Sequence, residues 1–333
     1  MQAFACEPFL CYTLFEMKLV FFDIECAGVH KTYAKICAFG YVVCDEKFNI
    51  LEKEDILINP KGKFELTDRK GEKGLVLPYD YSDFKKYPTF PRVYDRIKAL
   101  LEDRDSCILG HAVLNDVKYL NLESRRYRLP SFDFSFYDSQ MLFMTHINDF
   151  SHQFGLEHIA VALGVEFTPH RAADDAYATM RIIEAMCKHY DCNFPELAAK
   201  LNVTAGRICN YQVVRPQSKG FKRFNAEKKA ARDERSKKRI KFYNNLSRKR
   251  VNKKGGVLSG KTVTFSRTIE DDIEVSIPLV NKIYAVGGRY TSKLDGCTLY
   301  VSSENDSTAR TRSAAERALP RMTLEEISEL IND

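Results

Sequence analysis

The fold of this chain is set by residues 18–26, KLVFFDIEC, whose aromatic and β-branched residues predict a strand. Because side chains alternate along a strand, Leu19, Phe21, Asp23 and Glu25 share one side of it. Two acids on an otherwise apolar face are costly unless a cation compensates them. A salt bridge or an exposed strand end would also explain the pair, so the pattern alone leaves its role open.

A second acid interrupts an apolar helix face. In VLNDVKYL, the positions of Val113, Asp116, Val117 and Leu120 follow the i, i+3, i+4, i+7 spacing of one side of a helix. Asp116 therefore lies within an apolar stripe. The helix dipole also favours an acid in the first turn, so this position has two explanations.

The third acidic site is FTPHRAADDA, residues 167–176, where two aspartates follow His170. Ordinary capping of a helix start would account for them. Helical periodicity places Asp175 somewhat nearer the buried face than Asp174. This preference is weak, and it leaves the choice between the two aspartates open.

Three acidic sites on separate elements suggest that they converge on hard cations. Carboxylate clusters suit Mg²⁺ or Mn²⁺, and a neighbouring histidine adds a base. Two divalent ions held by carboxylates are a common apparatus for cleaving phosphodiesters.

Outside these sites, the order strand, strand, strand, helix, strand, helix, followed by further helices, predicts an α/β fold with a mixed sheet and flanking helices. The predicted organisation has four parts. They are an N-terminal extension at 1–16, a catalytic domain at 17–200, a basic linker at 201–256 and a small α/β domain at 257–333.

Composition excludes several classes of protein. The chain has 333 residues, is 44% hydrophobic and contains no apolar run long enough to span a bilayer. Residues 1–16 carry no Lys or Arg, so the basic region of a signal peptide is missing, and Met17 is a plausible start. The ten cysteines include no CxxC pair, which favours reduced thiols over a zinc site at Cys187, His189 and Cys192.

Residues 215–254 hold 17 Lys and Arg against 3 Asp and Glu. Such a concentrated basic segment is typical of a chain whose partner is a polyanion. A solvated tether, or a nuclear address in a eukaryotic source, would give the same composition.

DIE at 23–25, GHAVLNDVKYL at 110–120 and HRAADD at 170–175 together resemble the three motifs of DEDDh 3′→5′ exonucleases, in their usual order. This superfamily includes the proofreading epsilon subunit of DNA polymerase III and has a ribonuclease-H-like fold. The resemblance implies two Mg²⁺ or Mn²⁺ ions, with His170 as general base. It implies four metal ligands, namely Asp23, Glu25, Asp116 and Asp175. The family's spacing of five residues after the histidine selects Asp175, and Asp138 is expected to be a supporting residue.

Two departures from the family pattern bear on the substrate. Cys26 and Ala27 stand where the family often has Thr, and Ala112 stands where it usually has Asn. The stretch GHAVLND looks more like the RNA-degrading branch of the family. The expected function is release of nucleoside 5′-monophosphates from single-stranded or frayed 3′ ends, with DNA favoured, in replication or repair. An exoribonuclease and a retired nucleic-acid or phosphoprotein adaptor are the alternatives.

Residues 257–333 resemble a BRCT domain through GKTVTFS, GGRYT and LPRMTLEEISELI. BRCT domains often bind phosphate, and the matching positions are Ser266, Arg310 and Arg312. The resemblance implies a DNA polymerase or a phosphorylated protein as partner, and a packing module is the alternative. The expected location is the cytoplasm, near the nucleoid of a bacterium, or the nucleus of a eukaryote, with no membrane partner.

Overall fold

The computed structural model describes residues 17–65, 77–166, 169–252 and 254–332, so the predicted extension at 1–16 lies outside the described residues. The chain divides into two units, one ending at Phe224 and the other beginning at Asn225. None of the helices in the described ranges has the length and apolar character needed to cross a membrane.

The strands of the first unit begin with the predicted stretch at residue 18. They are β1 (Lys18–Val29), β2 (Ala34–Cys44), β3 (Ile50–Leu57), β4 (Ser106–Gly110), β5 (Phe134–Asp138), β6 (Val203–Thr204), β7 (Gly206–Cys209), β8 (Gln212–Val214) and β9 (Gln217–Ser218).

The helices of this unit follow the third strand, after a short 3₁₀ turn at Asp83–Lys86. They are α1 (Phe90–Leu101), α2 (Leu114–Arg126), α3 (Ser139–His146), α4 (Leu156–Ala162), α5 (Ala172–Tyr190) and α6 (Phe194–Lys200). A longer helix, α7 (Lys219–Ser247), continues from the first unit into the second.

The main sheet of the described residues has seven strands in the order β3-β2-β1-β4-β5-β7-β8. Strand β1 pairs antiparallel with β2 and parallel with β4, so the sheet is mixed as predicted. The strands β7 and β8 carry the sheet to Val214, beyond the predicted domain end at residue 200.

Alternation along β1 divides the core between the two faces of the sheet. Val20 and Phe22 pack on the side of α1 and α2, whereas Leu19 and Phe21 pack on the side of α5 and α6. Since Asp23 continues the second set, the acids of β1 lie on the face that α5 covers.

Gly40 of β2 lets the start of α5 lie directly against the sheet. A Cβ atom at this position would come within 2.0 Å of the backbone carbon of Ala172 and the backbone nitrogen of Ala173. Any side chain would push the helix away. In the strand register Gly40 is paired with Asp23 of β1, so this close approach brings the start of α5 beside the acids of β1.

The second unit is a small parallel α/β structure. Its strands are β10 (Thr262–Phe265), β11 (Arg289–Tyr290), β12 (Leu299–Val301) and β13 (Arg321–Met322), in the order β11-β10-β12-β13. Its helices are α8 (Arg267–Asp271), α9 (Ile273–Ala285), α10 (Ala309–Glu316) and α11 (Leu324–Leu330).

The predicted linker at 201–256 differs from the structure in its content. Most of its basic residues lie on α7, and Phe242 of this helix is fully buried in the second core, with Tyr243 and Leu246 packed at the edge of that core. The sequence shows no regular apolar stripe here because only the last turns of the helix pack against the second unit.

Candidate active site

Asp23 and Glu25 lie beyond the apolar part of β1, on the face covered by α5. They are paired with Gly40 and Ala38 of β2, and the register of the two strands shifts directly after Glu25. Both carboxylates line a cleft at this end of the strand.

Asp116 lies on the first turn of α2, after the end of β4, and it lines the same cleft as Asp23 and Glu25. The chain turns at Ala112, whose φ of 47° is in the left-handed region, and α2 begins two residues later. Asp138 holds this turn because its carboxylate accepts from the amide of Ala112 at 2.9 Å and also caps α3 through the amide of Gln140. Asp138 therefore has the supporting role that was expected of it.

The predicted apolar face of α2 is confirmed. Val113, Val117 and Leu120 are fully buried, and Asp116 among them is only 6% exposed. Its carboxylate opens into a cleft of about 330 Å³ that Asp23 and Glu25 also line.

The first turn of α5 brings Asp175 and His170 to this cluster. The amide of His170 donates to the Asp175 carboxylate at 3.1 Å, and His170 has a φ of 70°. Possible ligand atoms of Glu25, His170 and Asp175 all lie within 4.8 Å of one another. The five residues that were predicted from three separate motifs are thus brought together in space.

Of the two neighbouring aspartates, Asp175 faces inward and Asp174 faces outward. Asp175 is 7% exposed. Asp174 pairs with Lys53 of β3 at 2.7 Å, on the surface of the unit. The weak preference from helical periodicity is therefore correct.

Burial and mutual repulsion raise the pKa values of these carboxyl groups. Burial, followed by the charges of Asp116, Glu25 and Asp175, holds the pKa of Asp23 well above its usual range. Burial also raises the pKa of Asp116. Burial and the charge of Asp175 raise the pKa of Glu25 to about 8, and burial raises that of Asp175 to about 7.

The four carboxylates fit a divalent cation. Within the described ranges, no lysine or arginine forms an ion pair with Asp23, Glu25, Asp116 or Asp175. Buried carboxylates without a cationic partner are unfavourable, and oxygen ligands of this type are those that Mg²⁺ and Mn²⁺ prefer. The donor set therefore suits the expected ions.

Sequence reasoning missed three residues near the cluster. Tyr119 and Asn115 of α2 line the cleft beside Asp116. Asp55 of β3 contacts the start of α5, with a side chain only 8% exposed. The helical spacing of Asn115 and Tyr119 around Asp116 could have indicated the first two, but no local pattern marks Asp55.

The three phosphate-binding candidates of the second unit differ in burial and in their hydrogen-bond partners. Ser266 is fully buried, and its hydroxyl caps α8 by accepting from the amide of Ile269. Arg310 pairs with the buried Glu270 at 2.6 Å. Arg312 is exposed and donates to the carbonyl of Ser307 at 2.8 Å.

A cationic cleft of about 570 Å³ lies beside Arg310 instead. Its lining includes Arg267, Lys293 and Arg317, together with the hydroxyl-bearing Thr308. Arg317 is paired with Asp295 at 2.6 Å, so part of this positive charge is already compensated.

Comparison with known proteins bears on the first unit. The exonuclease family, RNase_T, matches residues 20–183. A solved structure of exonuclease I is 20% identical with a TM-score of 0.41, and the match covers 56% of this chain and 43% of that one. The zinc-bound complex of E. coli exonuclease I with single-stranded DNA is 20% identical with a TM-score of 0.44, and the match covers 56% and 42%.

A third similar structure is the nuclease domain of 3′hExo, a DEDDh family member bound to rAMP. It is 15% identical with a TM-score of 0.44, and the match covers 53% of this chain and 94% of that one. The chain spans less than half the length of the exonuclease I chains that it matches. No curated protein matches its sequence.

The raised pKa values predict how the metal-free protein responds to pH. The unfolded chain loses these protons near the ordinary values, whereas folded Glu25 holds its proton to about pH 8 and folded Asp175 to about pH 7. The stability that this provides is complete below about pH 4 and is lost as pH rises toward 8. In EDTA, the melting temperature should therefore fall by several degrees between pH 5.5 and 8.5.

The control for this experiment is Glu25→Gln, which removes one titrating group and should flatten the decline. Adding Mn²⁺ should raise the melting temperature more at pH 8.5 than at pH 5.5, because the ion binds the ionised carboxylates. Parallel pH profiles for the unaltered protein and the variant would contradict the assignment of the decline to this cluster.

Proposed function

We propose that the protein is a metal-dependent 3′→5′ exonuclease, since residues 20–183 match the exonuclease family and the sheet carries an acidic cluster. The proposed substrate is a single-stranded or frayed nucleic-acid 3′ end, with DNA favoured, in replication or repair. One observation carries the proposal. Asp23, Glu25, Asp116 and Asp175 converge without a cationic partner among the residues that the structure describes, and His170 lies beside them.

In this proposal the carboxylates divide into two overlapping sets. Asp23, Glu25 and Asp175 would hold one Mg²⁺ or Mn²⁺ ion, and Asp23 with Asp116 would hold the second. When bound, the two ions would supply positive charge that activates water and stabilises the attacked phosphate. Because β1 supplies two of the ligands from one rigid strand, the spacing of the sets depends on the sheet.

His170 acts as the general base. Its imidazole takes a proton from water while the water oxygen bonds to phosphorus and the bond to the 3′ oxygen breaks. The departing 3′ oxygen takes a proton from solvent. The products are a nucleoside 5′-monophosphate and a strand that is one nucleotide shorter, with a 3′ hydroxyl. The exposed position of His170 at the rim of the cluster allows the proton to pass on to solvent.

The cleft next to the carboxylates accommodates the terminal nucleoside. Val29 and Tyr119 offer apolar and aromatic surface, and Asn115 offers an amide. Aromatic side chains stack on any base, which suits a nuclease that removes successive nucleotides of different sequence.

The direct test uses matched end-labelled DNA and RNA oligonucleotides with Mg²⁺ or Mn²⁺. We expect stepwise loss of nucleoside 5′-monophosphates from the 3′ end, faster on DNA. Asp116→Ala should abolish cleavage, because it removes a ligand from a site built of few. Full activity of this variant, or of the unaltered protein in excess EDTA, would contradict the metal assignment, and faster loss from RNA would favour an exoribonuclease.

The two neighbouring aspartates provide a matched comparison. Asp175→Asn should reduce activity far more than Asp174→Asn, because only Asp175 faces the cluster. His170→Ala should slow turnover by about 10²–10⁴-fold, as is typical for loss of a general base. Turnover is measured at saturating oligonucleotide, and equal losses at the two aspartates would show that the wrong one was chosen.

We also propose that α7 binds the phosphates of the substrate. Lys237 and Lys241 lie one turn apart on this helix and line a shallow groove with Arg248. None of these three cations pairs with an acid within the described ranges, whereas Arg239 on another side of the helix pairs with Asp271 at 2.8 Å. The three are therefore available to a polyanion.

Replacing Lys237, Lys241 and Arg248 by glutamine should weaken nucleic-acid binding and flatten its dependence on salt. Each lost phosphate contact on a single strand should reduce the slope of log affinity against log salt by about 0.7. Binding is measured at several salt concentrations, with cleavage blocked by Asp116→Ala.

The matched control is the glutamine triple variant of Lys47, Lys85 and Lys188, which removes the same charge from the surface of the first unit. Unchanged affinity and slope in the α7 variant would show that the helix only connects the units. Removal of the whole segment 215–254 is less informative, because it also removes Phe242 from the second core.

For the second unit we propose a BRCT-like domain that binds a phosphorylated protein or a DNA end. A DNA polymerase complex could present either ligand. The cationic cleft beside Arg310 supports this proposal. The test compares the full chain with its Lys293→Gln variant for binding of a phosphoserine peptide and of 5′-phosphorylated DNA. Equal binding by the two proteins would contradict the proposal.

A further inference from the structure

We propose that Asp55 of β3 is a positioning residue for the active site: it caps α5 from outside the helix and so fixes His170 and Asp175. This inference rests on the proposed nuclease function. Asp55 does not belong to any of the three acidic motifs. Its hydrogen bonds go to the helix start and to Tyr79, and its charge also contributes to the raised pKa values of Asp23, Glu25 and Asp175.

The start of α5 has no cap of its own. Arg171 occupies the N-cap position, and its side chain makes no capping hydrogen bond. The first amides of a helix need acceptors from elsewhere. The Asp55 carboxylate accepts from the amide of Ala173 at 2.8 Å, and the Tyr79 hydroxyl accepts from the amide of Ala172 at 3.0 Å.

Three donors converge on the Asp55 carboxylate. One oxygen accepts from the Ala173 amide, and the other accepts from Arg171 Nε at 2.9 Å and from the Tyr79 hydroxyl at 3.3 Å. The side chain is 8% exposed. Because both oxygens are already engaged in holding the helix, a direct role in binding metal is less suited to Asp55 than to the four carboxylates of the cleft.

The strand register explains why Asp55 is in a position to do this. Asp23 of β1, Gly40 of β2 and Asp55 of β3 are paired in one row across the sheet, and directly paired residues share a face. The start of α5 lies against Gly40, the middle member of the row. Asp23 and Asp55 therefore flank the helix start, one toward the cleft and the other as its cap.

The capped helix start holds both functional groups, because Asp175 lies on the first turn of α5 and His170 lies just before it. His170 directly precedes the N-cap residue and has a φ of 70°, a backbone conformation that the surroundings must maintain. Its amide donates to Asp175 one turn further on. If the cap is lost, the first turn frays, and both His170 and the Asp175 carboxylate move relative to β1.

The experiment uses the full chain and Asp55→Asn, which keeps the size of the side chain but places an amide group among three donors. We expect kcat to fall by about 10–100-fold, the range seen when a supporting partner is removed. KM for the oligonucleotide should stay within about threefold, because substrate binding does not use this residue. The affinity for Mn²⁺, measured by electron paramagnetic resonance, should fall because Asp175 is displaced.

The matched control is Lys53→Gln, which removes a surface ion pair between the same strand and helix. This variant should keep kcat and Mn²⁺ affinity. Tyr79→Phe removes the hydroxyl that bridges Asp55 and the Ala172 amide without changing the charge of the site. It should lower kcat relative to the unaltered protein, by less than Asp55→Asn does, and this comparison keeps the proposal testable if Asp55→Asn does not fold.

The outcomes separate the possible explanations. Unchanged kcat and Mn²⁺ affinity in folded Asp55→Asn, with only a lower melting temperature, would overturn the proposal and leave Asp55 a purely structural role. Equal losses in Lys53→Gln would also overturn it. If the unaltered protein shows no nuclease activity, the proposed function fails, but the comparison of Mn²⁺ affinities still decides whether Asp55 positions Asp175.

Discussion

Repulsion between buried carboxylates is the constraint on which the architecture of the first unit depends. Burial and the charges of Asp116, Glu25 and Asp175 raise the pKa of Asp23. Groups that repel one another remain together only when the elements that carry them are fixed by other contacts. The two faces of the sheet provide these contacts, since each is covered by its own apolar core.

Much of the site could be predicted because its signals are local. The alternation along β1 placed Asp23 and Glu25 on one face, and the periodicity of α2 placed Asp116 among buried valines and leucine. The same periodicity favoured Asp175 over Asp174, although only weakly. In each case a polar residue stands where the period of the element requires an apolar one, which single-sequence patterns can detect.

The parts that escaped prediction depend on contacts between distant segments. Asp55 lies on a strand whose exposed face is rich in charge, so its cap on α5 has no local signature. The strands β7 and β8 have only four and three residues, too few for periodicity to be visible. The hydroxyl of Ser266 caps the helix that follows it, and its role toward a phosphate stays a prediction.

The helix α7 has a consequence for the preparation of the two units as separate fragments. Its first turns belong to the first unit, where the rings of Phe221 and Phe224 lie about 6 Å from that of Phe150. Its last turns supply Phe242 to the second core. A fragment ending at residue 200 would lose the first set of contacts, and one beginning at residue 257 would lose the second. Independent fragments require a cut within the helix, between Phe224 and Phe242.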